Sequence, residues 1–194
     1  MSMKTKSELK DVFNGPSSLM YQSTKLSGDT LALNPEYDLP VKVDTLNFEQ
    51  GEPTIEHYKV IGLTGDWVSS SEAGDITVSF RVPTKQTDVL KLAFGTDAVS
   101  NKSLTFNGNS FEGNGLVLKN KKIVGTWAIL NDAGDQLLIL NNTALYASLV
   151  MDSDAKGVVA IDFNGTIESD GSNPDVLFLK KQSASSSSSS SSEG

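Results

Sequence analysis

Asp75-Ile76-Thr77-Val78-Ser79-Phe80-Arg81-Val82-Pro83 decides the fold class. Ile76, Val78, Phe80 and Val82 alternate with Thr77, Ser79 and Arg81, so an extended chain buries one face and wets the other. Pro83 ends the strand because it has no N–H for a ladder. The period then changes. Thr84 or Thr87 is placed to cap a helix whose Val89, Leu90, Ala93 and Phe94 line one side, and Gly95 stands where a positive φ stops it.

Working outward, the pattern is strands at short spacing. Toward the N-terminus, Val41–Phe48 and Ile55–Leu63 are rich in β-formers and are separated by the turn Gln50-Gly51-Glu52-Pro53. Toward the C-terminus, Ser103–Phe106 meets Asn107-Gly108, a two-residue hairpin signal. Leu116–Leu118, Ile123–Leu130, Gln136–Leu140, Thr143–Met151, Val158–Ile167 and Val176–Leu179 follow, with turn chemistry at Asn131–Asp135, Asn141-Asn142 and Asp152–Gly157. The expected fold class is all-β with one short helix, arranged as a β-sandwich or partly closed barrel. Three regions are expected: an N-terminal arm over 1–40, a core domain over 41–181 and a disordered Ser-rich tail over 182–194. Ser7 is placed to cap a short helix through Phe13 inside the arm. Ser185 to Ser192 is an unbroken serine run with no apolar surface to offset ordering, the composition of a solvated tail or appended linker.

The 194 residues carry 16 Lys+Arg against 24 Asp+Glu, a formal charge of −8. That balance argues against a protein that grips nucleic acid or anionic lipid. The charge is blocked: +2 over 1–28, −7 over 29–97, +3 over 98–131, −7 over 132–179 and +1 thereafter. Such blocks suit a self-associating subunit, and they also occur in ordinary monomers. With no cysteine there is neither disulfide nor thiolate chemistry. No apolar run approaches membrane-spanning length and no signal peptide is visible, so an intracellular protein is expected.

Candidate chemistry is sparse. His57 is the sole histidine and has no Gly-x-Ser-x-Gly serine to serve. Asp152-Ser153-Asp154-Ala155-Lys156-Gly157 opens like a calcium loop, but Lys156 and Phe163 occupy ligand positions, so a hairpin turn explains it as well. Asp132-Ala133-Gly134-Asp135 reads as a turn before it reads as a metal site. Gly113-Asn114-Gly115 has neither the helix start nor the lysine of a phosphate loop. Trp67 and Trp127 read as core or interface fillers. No catalytic, cofactor-binding or metal residues are assigned, and no cofactor is expected.

Val60-Ile61-Gly62-Leu63-Thr64-Gly65-Asp66-Trp67, followed by Gly74 to Thr84 and a helix over Thr87 to Phe94, resembles the middle of a bacteriophage major tail (tail tube) protein. Ala144-Leu145-Tyr146-Ala147, the acidic turn Asp152–Gly157, Val158–Gly165 and Asp170-Gly171 resemble a late segment of that family. The likeness spans 41–180 in element order and residue flavour. It implies a virion structural subunit, made in the bacterial cytoplasm, whose copies form hexameric rings stacked into a tube for DNA. Its partners would be further copies and other tail or head proteins. No long polar inter-ring hairpin stands out; Ser100–Leu118 and the arm 17–40 are the candidates for that device. Other readings are a capsid-decoration, head-fibre or neck protein, a carbohydrate- or protein-binding sandwich, and a carboxylate-dependent hydrolase. A binding module would show an exposed aromatic strip, whereas the aromatics here are expected mostly to take alternating, core-facing positions.

Overall fold

The computed structural model describes residues 4, 10–28, 31–42, 44–62, 64–152 and 156–182. The strands are β1 (Pro16–Gln22), β2 (Tyr37–Leu39), β3 (Asn47–Gln50), β4 (Thr54–Tyr58), β5 (Val68–Glu72), β6 (Ile76–Val82), β7 (Val99–Phe106), β8 (Asn109–Leu116), β9 (Ile123–Asn131), β10 (Gln136–Asp152), β11 (Val158–Ile167) and β12 (Val176–Lys180), with one helix, α1 (Thr87–Phe94). The protein is all-β with one short helix. An eight-stranded antiparallel sheet runs β2-β1-β9-β10-β11-β6-β3, with β12 also on β10, and β4–β5 and β7–β8 form separate two-stranded ribbons.

The sheet turns on β10. The sequence pattern ends a strand at Leu140 and starts another at Thr143; the chain instead runs straight through as one seventeen-residue strand. Asn141-Asn142 is a bulge, with Asn142 at φ 50° and the register to β9 slipping between Leu140 and Thr143. Before it, Leu138 and Leu140 enter the main core; after it, Leu145 and Ala147 do. The inserted residue switches the inward parity, so the apolar face stays inside while the strand bends. On the edge away from β9, β12 pairs with Gln136–Leu140 and β11 with Thr143–Asp152.

Asn141 holds the bend. Its side chain is buried, accepts from Leu26 N (2.8 Å) and Thr126 Oγ1 (3.0 Å), and donates to Leu26 O (3.0 Å) and Pro174 O (3.3 Å). An asparagine that reads as a turn residue is therefore a buried polar staple.

Bending brings distant strands face to face. Three strand steps on a flat sheet would separate β9 from β6 by about 14 Å. The rings of Trp127 and Phe80 lie 4.8 Å apart, and Trp127 also meets Tyr21 at 4.7 Å and Phe163 at 6.0 Å. The sheet is folded over this aromatic centre, with Val89, Leu90, Leu92, Ala93 and Phe94 of α1 in the same core. Burial also pushes the Tyr21 hydroxyl up to about 12, with the nearby Glu36 charge adding to it, and that hydroxyl donates to Val124 O (2.9 Å).

Several expectations are corrected. The described residues of 16–40 are not an arm. β1 pairs along β9 inside the main sheet, and Leu26, Leu31 and Leu33 cover its other face against Ala128 and Ile139. The core accordingly takes in Leu19, with Phe13 packed against it, instead of beginning at residue 41. Ser7 and the tail over 183–194 lie outside the described residues, and residues 10–13, the described end of the helix expected through Phe13, are not helical. Val41–Phe48 is not a strand through its described length. Thr45 N–H donates back to Lys42 O (3.3 Å), Lys42 N–H donates to Arg81 O (2.8 Å), and β3 starts at Asn47. Neither threonine caps α1: the N-cap position is Gln86, without a side-chain cap bond. Gly95 does take a positive φ, 103°, and Lys121 Nζ donates to Leu92 O at the helix end (3.0 Å).

Two substitutions test this frame by chemical denaturation. Asn141→Ala, which strands the backbone groups of Leu26, should cost about 2–4 kcal/mol. Gly165→Ala should cost at least as much, because its Cβ would sit 2.0 Å from Ala144 O across the β10–β11 ladder.

Candidate assembly surface

β7–β8 turns at Asn107-Gly108, with φ of 51° and 78°, as the hairpin signal requires. Its register pairs Leu104 with Phe111 and Phe106 with Asn109. Ser100, Lys102, Leu104, Phe106 and Phe111 therefore share one face, and Asn101, Ser103, Thr105, Ser110, Glu112 and Asn114 share the other. The polar face turns toward the body, where Asn114 Nδ2 donates to Thr87 Oγ1 (2.9 Å). The apolar face is bare: Leu104 is 68%, Phe106 61% and Phe111 54% exposed.

β4–β5 is a second ribbon, exposed on both faces, with Ile55 bare on the side of His57. Tyr58 pairs with Val68, Glu56 with Ser70 and Thr54 with Glu72, which puts Glu56, Tyr58, Val68 and Glu72 on one face. Tyr58 is 67% and Val68 55% exposed, and Trp67 beside them is 62% exposed. The turn chemistry at Gly62 and Gly65 marks the hairpin's end in the sequence. Nothing there marks β5, because Ser69-Ser70-Ser71 has no apolar alternation.

A lone two-stranded ribbon is marginal in water, since it gains little burial for the order it imposes. Two such ribbons, each with a bare apolar face, are candidate docking surfaces. A third exposed strip, Leu149, Met151 and Val159, lies where β10 and β11 run past the end of β6 at Val82.

The other candidate residues separate rather than converge. His57 is half exposed on β4, with Nδ1 2.6 Å from Asp66. Trp127 is fully buried and Trp67 is not. Asn131 Oδ1 accepts from the N–H groups of Asp135 and Gln136 (both 3.0 Å), which makes Asp132–Asp135 a side-chain-braced turn. Part of the Asp152–Gly157 turn lies outside the described residues. Gly113-Asn114-Gly115 lies within β8, an extended ribbon strand. Among the described residues, no group of three His, Asp or Glu is placed to hold a metal ion. The hollows are open; one of about 580 Å³ lies at the base of β7–β8 beside Thr87. Among the aromatics, Tyr58, Trp67, Phe106, Phe111, Tyr146 and Phe178 are exposed, while Tyr21, Phe80, Phe94, Trp127 and Phe163 are buried.

Opposite charge blocks meet partly within the chain. Lys25 pairs with Asp170 (2.7 Å), Lys119 with Asp97 (2.7 Å) and Lys122 with Glu168 (2.5 Å). Lys25, with the N–H groups of Ser172 and Asn173, holds the Asp170 carboxyl well below the usual carboxylate range. Among the described residues, no helix is long and apolar enough to cross a membrane. Comparison of the chain with protein-family models, with curated proteins and with solved structures finds no significant match.

Two outcomes follow. A depressed carboxyl stabilises above its unfolded value and loses that contribution as pH falls through its folded one. Asp170→Asn should therefore be less stable than wild type at pH 7. The gap should narrow below about pH 3.9 and vanish once the folded carboxyl is protonated, as read by urea midpoints. In the isolated subunit, amides of Val99–Leu116 should exchange far faster than those of β9.

Proposed function

We propose that the chain is a virion structural protein, a bacteriophage tail tube subunit that self-assembles into stacked rings enclosing a path for DNA. The observation that carries it is the pair of projecting ribbons with bare apolar faces, on a body whose own core is closed around Trp127. The sequence likeness to tail tube proteins, extending over 41–180, supports it. A strand that ends at Pro83 is followed by the short helix α1, in the order which that likeness implies.

The charge supports the same reading. DNA carries about one negative charge per 1.7 Å of axis, so a conduit must not bind it. A chain of net charge −8 with Arg81 as its single arginine can present an acidic or neutral lumen, along which the polymer slides without specific contacts. The short strands β2 and β3 leave sheet edges that neighbouring copies can cover. Unlike surfaces joined head to tail close into rings when the rotation permits.

The exposed Tyr58 and Trp67, adjacent at the end of β4–β5, favour a second reading, a binding module with an aromatic platform. Negative-stain electron microscopy across protein concentration separates the two. The tube subunit should give rings or tubes of constant bore. A monomer at every concentration and salt, retained on a glycan array, would establish the second reading instead.

A further inference from the structure

We propose that the basic–apolar face of β7–β8 in one copy packs on the acidic–apolar face of β4–β5 in the next copy. This rests on the reading of the chain as a self-assembling subunit and names the contact through which it assembles.

The two faces match in shape and character. Each is one side of a short antiparallel ribbon, and each presents large apolar groups flanked by charge. On β7–β8 these are Leu104, Phe106 and Phe111 with Lys102, whose side chain lies across Gly115 on the same face. On β4–β5 they are Tyr58 and Val68, paired at one end of the face, with Glu56 and then Glu72 along the rest of it. Among the described residues, Lys102, Glu56 and Glu72 have no ion-pair partner. Other lysines of the same basic block, Lys119 and Lys122, are already paired within the chain. Charges left bare beside bare apolar groups favour a partner of opposite sign and steer its register.

Physical economy points to the same pairing. Each ribbon alone is two strands with no cover; stacked face to face, about 10 Å apart, they form a four-stranded unit with a dry seam. The two faces differ, so the contact is heterologous and propagates from copy to copy instead of stopping at a dimer.

The absence of cysteine allows a direct test with the full chain. Phe111→Cys and Tyr58→Cys proteins, mixed and treated with a short bismaleimide, should give a covalent dimer that neither gives alone. Thr105→Cys, on the polar face, should not link to Tyr58→Cys. Lys102→Glu should raise the concentration needed for assembly by roughly tenfold or more, and adding Glu56→Lys with Glu72→Lys should restore it. If wild type assembles but the mixture does not link and Lys102→Glu is silent, the contact is elsewhere and self-assembly stands. Linking of Phe111→Cys to itself means a symmetric contact and overturns the pairing. Wild type that never leaves the monomeric state overturns both readings.

Discussion

A β-strand cannot serve two facing layers unless it bends without turning its apolar side out. β10 meets that constraint at Asn141-Asn142, where one inserted residue changes the inward parity from Leu138 and Leu140 to Leu145 and Ala147. With that bend, β12 and β11 share one edge of the same strand, and Phe80 can reach Trp127. A straight β10 would keep them several strand widths apart. The Asn141 side chain spends its hydrogen-bonding capacity on Leu26, Thr126 and Pro174, so the bend also anchors the segment covering the sheet's second face.

The rest of the surface follows from what that core leaves over. Once the folded sheet and α1 have enclosed the aromatic centre, β4–β5 and β7–β8 have no place inside. They project with their apolar groups intact. A monomer gains nothing from such ribbons, and a cysteine-free chain has no disulfide to staple them. They gain burial only against another molecule, so the proposed assembly uses their faces and not a hollow of the body.

The legible parts were those decided by local chemistry. Ile76–Val82 alternates and is stopped by Pro83, α1 follows its apolar spacing, and Asn107-Gly108 makes its hairpin. The misread parts were those where a residue's neighbour is remote in sequence. Asn141 has turn chemistry, and the partners that bury it stand 115 residues before it and 33 after. The 16–40 segment looks like an arm because its polar residues outnumber its apolar ones, yet its first stretch, Pro16–Gln22, finds a ladder on β9. β5 has no apolar pattern and exists because β4 pairs with it. The candidate surface was half legible: Ser100–Leu118 was one of two candidates for an inter-ring device, beside 17–40, whereas the acidic face of β4–β5 needed the strand register.

The sequence by itself determined an all-β chain with one helix, without thiol chemistry, carrying charge in alternating blocks. Period and composition are local properties, and short-range sterics and solvation act on them directly. Tertiary structure alone decided which aromatics are core and which are surface. Phe80 and Phe106 both sit on alternating strands, and only the folding of the sheet buries the first and strands the second. It also decided that some opposite charges cancel within one chain while Lys102, Glu56 and Glu72 stay bare. Coulomb attraction depends on distance in space, which only the packed sheet sets.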